Sequence, residues 1–195
     1  MDAPLGWPTL LSRSLVKHRA GEKIATAPND MFRRETDRFI KEKLGKTPLD
    51  VGADRIARTA HAALRLLGDL RGHLRTPIPL AWAPAPIFGV TAIEVYPAAT
   101  LRAHDLKSNG YKAAAQIAQR QELFRQLRLR LNFATKTSIL ECDANALDAV
   151  VCLLAAKDFL EGRTMPPSNP RLAKREGWIW ASAGTDSASC VDDSQ

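Results

Sequence analysis

Two carboxylates stand where water is expected to be scarce. Glu94 interrupts the apolar run Val90-Thr91-Ala92-Ile93-Glu94-Val95-Tyr96, and Asp148 lies among Ala146, Leu147, Ala149, Val150 and Val151 in a stretch that Asp143 opens. An ionised carboxylate withdrawn from water costs several kcal/mol unless it is paired, hydrogen-bonded or bound to a metal. Hard oxygen ligands of this kind suit magnesium or manganese. Two such ions about 3.5–4 Å apart activate a water and stabilise the leaving oxygen in phosphodiester cleavage, so the acids invite a metal hypothesis. Each also has a plainer reading. For Glu94, which shares its strand face with Val90, Ala92 and Tyr96, that reading is a salt bridge to a nearby arginine. For Asp148 it is an exposed helix surface. Asp143 is read as the N-cap of its helix and not as a catalytic group.

Arginines supply the second kind of chemistry. Arg120, Arg125 and Arg128 recur along one amphipathic stretch and could follow a nucleic-acid backbone, with plain helix surface as the alternative. Arg34, beside Glu35, Thr36 and Asp37, could hold a phosphate, where the alternative is a solvated face of mixed i,i+4 pairs. The sequence holds 28 Lys and Arg against 21 Asp and Glu, a formal charge of +7, which suits a polyanionic partner without requiring one. Cys142, Cys152 and Cys190 show no C-x-x-C spacing, and His18, His61, His73 and His104 show no H-x-x-x-H. Neither a disulfide framework nor a zinc site is therefore expected. Tyr96, Trp178 and Trp180 read as core aromatics, with stacking of exposed rings on unpaired bases as the alternative.

The elements that must position these residues are mostly helical. Asn29 or Asp30 is expected to cap a helix that ends at Gly45, and residues 52–74 place Ile56, Ala60, Ala63, Leu64, Leu67 and Leu70 at helical spacing for packing. Four prolines between Thr76 and Pro86 exclude helix there. Residues 89–96 read as the strongest strand, with weaker ones at 78–82 and 178–181. Helices are expected at 112–131, with Leu123, Leu127 and Leu131 inward, and at 143–161, closed by Gly162. A strand that is apolar on both faces belongs inside a covered sheet, yet its partners are scarce in this chain. The 195 residues are expected to form one domain over 1–181 with a disordered tail at 182–195. No apolar run reaches the eighteen or so residues of a membrane helix, and Met1-Asp2-Ala3-Pro4 lacks a signal-peptide layout. The expected compartment is the cytoplasm, with no membrane partner.

Four short motifs in order, Asp2-Ala3-Pro4-Leu5-Gly6-Trp7-Pro8, Ile93-Glu94-Val95-Tyr96-Pro97, Ala146-Leu147-Asp148-Ala149 and Glu176-Gly177-Trp178-Ile179-Trp180, resemble the uncharacterised-domain family numbered four hundred and twenty-nine. Its members are regarded as predicted nucleases of the RNase H-like superfamily. The resemblance covers most of residues 1–181. It implies an α/β fold, a mixed sheet flanked by helices, here helix-rich and lacking the N-terminal strands. It also implies a divalent metal, magnesium or manganese, held by Asp2 at a strand tip, Glu94 on a strand and Asp148 on the last helix. The family's first strand carries a Gly-x-Asp that this sequence does not show, so its phosphodiester hydrolysis would be impaired. The alternative is a non-catalytic nucleic-acid or protein-interaction module in which the acids are structural. An open sheet edge would invite oligomerisation.

Overall fold

The computed structural model describes residues 33–49, 54–84, 89–134 and 137–184. Asp2, the caps expected at Asn29 or Asp30, and Cys190 lie outside the described residues. Among the described residues the helices are α1 (Glu35–Leu44), α2 (Asp54–Leu74), α3 (Pro97–Ala103), α4 (Ile117–Arg128), α5 (Ile139–Cys142), α6 (Ala144–Leu160) and α7 (Pro170–Glu176). They fall into two compact units. The first takes 33–49, 54–81, 89–94 and 167–179; the second takes 82–84, 95–134, 137–166 and 180–184.

In the first unit α1 stops where expected, at Gly45, whose left-handed φ of 64° turns its amide back to the Lys41 carbonyl. Thr36, Asp37 and Ile40 form its buried face. Trp178 packs on Phe39 with ring centroids 5.0 Å apart. Helix α7 is not among the helices expected from periodicity, although the sequence carries its start signals. Asn169 caps it by accepting the Leu172 amide at 3.1 Å, and Pro170 stands at its first turn, where the missing N–H costs nothing. Helix α2 forms as its spacing predicts, but the packed face does not follow. Leu64 is 69% exposed and Leu70 40%, so periodicity specified the helix and not a partner for it.

The second unit is organised around α6, which is apolar on nearly every side and therefore cannot be amphipathic in the usual sense. Leu147, Val151 and Leu154 of α6 pack with Leu101 of α3, Leu123, Phe124 and Leu127 of α4, and Leu140 of α5. Each of these buried side chains contributes about 1.5–3 kcal/mol of transfer free energy. Leu123 and Leu127 point inward as expected, and Asp143 caps α6 by accepting the Asn145 amide at 2.7 Å. Helix α4 is shorter than the expected 112–131. Arg120 explains its late start: the guanidinium takes the carbonyls of Tyr111, Ala113 and Ala114, as well as Glu141, at 2.7–3.0 Å. Those three oxygens are thereby satisfied without helix.

The expected RNase H-like α/β fold is overturned: among the described residues there is no β-strand, and helices dominate. The three segments expected as strands do meet, but only at isolated bridges, Leu80 with Ala92 and Glu94 with Ile179, both parallel. Pro77 and Pro79 have no amide to extend a ladder. Ala92 therefore gives its N–H to the Pro79 carbonyl and receives that of Ala81, each at 2.9 Å. On the other side, the Ile179 amide goes to the Thr36 hydroxyl at 2.8 Å, which takes a ladder donor away. Without a sheet, the open sheet edge also ceases to be a reason for oligomerisation. A further antiparallel bridge joins Thr164 to Ser182, which is buried. No helix of the described residues is long and apolar enough to cross a membrane.

Candidate functional site

Glu94 ends in an ion pair with Arg34, the plainer of its two readings. Both of its oxygens are taken by the guanidinium, Nη2 to Oε1 at 2.7 Å and Nη1 to Oε2 at 3.0 Å. The same guanidinium donates to Asp37 through Nε at 3.3 Å and Nη2 at 3.1 Å, and to the Glu176 carbonyl at 3.2 Å. Asp37 is 1% exposed and also accepts the Arg34 amide, closing the first turn of α1. Burial alone would lower the Arg34 pKa, but the hydrogen bond and charge of Glu94, followed by those of Asp37, more than offset it and hold the group above its ordinary value. Gly177 lies against this fork. With φ at 92°, a Cβ there would fall 2.7 Å from Glu94 Oε2 and 2.9 Å from Arg34 Nη1, so glycine is required both by its backbone and by the space.

Asp148 is held differently. It projects from the second turn of α6, where the buried Tyr111 hydroxyl donates to Oδ1 at 2.6 Å and Lys112 Nζ to Oδ2 at 2.7 Å. The Asp148 side chain is 19% exposed and that of Lys112 64%. Burial first, and then the bond to Asp148, push the Tyr111 phenol far up; burial also raises Tyr96, where the charge of Lys112 works in the opposite direction. One helical turn beyond Asp148, the Cys152 thiol is pushed up by burial and then by the Asp148 charge. The hydrogen-bond donors to this carboxylate are thus Tyr111 and Lys112.

Glu94 and Asp148 belong to different units, and each finds its cation within its own. Asp2 lies outside the described residues. The four arginines considered for phosphate also separate. Arg34 is committed to Asp37 and Glu94, and Arg120, 2% exposed, directs its guanidinium to four carbonyls. Arg125 is exposed and pairs with Glu122 at 2.8 Å, holding that carboxyl down at about 2; Arg128 lies over the Phe124 ring at 6.0 Å. Of the four, the two on the last turn of α4 face solvent.

Sequence reasoning missed several partners. Lys112 and Tyr111 gave no spacing that tied them to Asp148. Asp158 could have been found, since it continues the inward α6 stripe of Leu147, Val151 and Leu154. It is fully buried between His104, at 2.7 Å, and Arg163, at 3.0 Å. A divalent metal fits these surroundings poorly: a second positive charge would have to displace Arg34 from Glu94 or Lys112 from Asp148. Among the described residues no group of three His, Cys, Asp or Glu side chains is placed to hold one.

No curated protein and no solved structure matches the chain. Residues 1–171 match the family described as protein of unknown function (DUF429), and the chain belongs to that family.

Proposed function

We propose that this chain is a nucleic-acid-binding module in which Glu94 and Asp148 serve structure rather than catalysis. The observation that supports this reading most is the occupancy of both acids by cations, Arg34 on Glu94 and Lys112 on Asp148. Meanwhile the excess of basic over acidic side chains in the sequence favours a polyanionic partner. The test is fluorescence anisotropy of labelled single-stranded and duplex oligonucleotides over a salt series, with manganese-dependent cleavage assayed on the same samples. Binding that weakens steeply with salt, without cleavage, is the expected result. Failure to bind at low salt would overturn the reading.

Metal-dependent phosphodiester hydrolysis is the second reading, with magnesium or manganese as cofactor and Asp2, Glu94 and Asp148 as candidate catalytic acids and ligands. What favours it, beside the family resemblance, is the looseness of the Asp148 pair: the Lys112 side chain is 64% exposed, and a solvated lysine can turn away. Manganese-dependent cleavage that Asp148→Asn abolishes in a folded protein would move the conclusion to this reading.

A further inference from the structure

Where α4 ends, the chain turns over an open cavity of about 380 Å³ lined by Leu129, Arg130, Leu131, Asn132 and Lys157. We infer that this cavity is a phosphate-binding subsite for a nucleic-acid backbone, an inference that rests on the nucleic-acid-binding reading above. Two cations and a neutral amide line it, with no carboxylate among them. Arg130 donates from Nη1 to the Gln126 carbonyl at 2.9 Å and from Nη2 to that of His104 at 3.4 Å; Lys157 donates to the Arg130 carbonyl at 3.0 Å. A guanidinium offers five N–H donors and an ammonium three, so both groups keep donors beyond those bonds.

The plain alternative is that these side chains only satisfy the carbonyls at the end of α4. That duty is real, because the negative end of a helix opposes an anion. It also removes the obstacle, since the Gln126 and Arg130 oxygens are already covered by cationic donors. The exposed Arg128 on the preceding turn extends the basic surface away from the cavity, as a phosphate track would need, while its neighbour Arg125 is paired with Glu122. Leu129, 72% exposed, offers the adjoining sugar an apolar rest.

The experiment uses the full chain and a labelled single-stranded oligonucleotide, with inorganic phosphate as competitor. It compares wild type, Lys157→Gln, Arg130→Gln/Lys157→Gln and Asn132→Asp, with the exposed Arg65→Gln on α2 as control and thermal melts on all. The double variant should weaken binding by about tenfold and lower the salt slope by about 0.7, the value for one phosphate of a single strand no longer neutralised. Asn132→Asp should weaken binding through its added negative charge, and Arg65→Gln should change little. If the double variant fails to fold, Lys157→Gln and Asn132→Asp carry the test. Wild-type binding that survives every cavity substitution in folded protein would overturn the subsite and leave the nucleic-acid reading standing. No oligonucleotide binding by wild type would overturn both.

Discussion

Glu94 and Asp148 meet their cations in different ways. Arg34 presents a planar fork that two carboxylates and a carbonyl grip together, and its own side chain is only 14% exposed. Lys112 presents a single ammonium on a solvated stem, and the more buried bond to Asp148 comes instead from Tyr111. A guanidinium fixes direction as well as charge, whereas an ammonium fixes charge alone. The first arrangement should therefore behave as architecture. The second has a permanent part, the phenol, and a removable part, the amine.

Substitutions can break this contrast in order of size. Arg34→Met should destabilise the protein by about 3 kcal/mol in urea melts, because it strands the buried Asp37 along with Glu94. Arg34→Lys should restore only part of that loss. A cost near zero would show that the fork is dispensable. Tyr111→Phe should cost about 1.5–3 kcal/mol, the value of a hydrogen bond to a charged group. The effect also has a pH signature. With the folded phenol raised above its ordinary 10.0, its contribution is fully present below pH 10 and is lost as the pH climbs toward the folded value. An ultraviolet titration of the two tyrosines should show Tyr111 ionising last, and Tyr111→Phe should flatten the alkaline loss of stability. Lys112→Met should fall within about 1 kcal/mol, since an exposed pair contributes little and salt screens it. A larger cost would make the two sites alike after all.

The parts of this picture that were legible in the sequence are those governed by local rules. Gly45 as a helix stop, Asp143 as a cap and the inward Leu123 and Leu127 follow from a few neighbouring residues, and the structure agrees at each. The strand partners were also half legible. Segments 78–82 and 178–181 do approach 92 and 94, but prolines on one side and the Thr36 hydroxyl on the other divert the donors that a sheet would need. Such a competition is decided by residues distant in sequence, as is the choice between a salt bridge and a metal for Glu94. Composition announced an acid in an apolar run. Only the fold could say that Arg34, sixty positions away, would meet it. The Tyr111 and Lys112 bonds to Asp148 were equally out of reach, because nothing in their spacing marks them.

Arg120 gives the 111–116 segment an unusual kind of order. A helix or ladder distributes its holding power over many equivalent bonds and can fray from an end. Here three carbonyls of one short stretch converge on a single side chain rooted in α4. Such a keystone leaves no partial state in which some of those bonds survive its withdrawal. The stretch should open as a block once Arg120 lets go, and a protease should cut within it faster in Arg120→Met than in wild type.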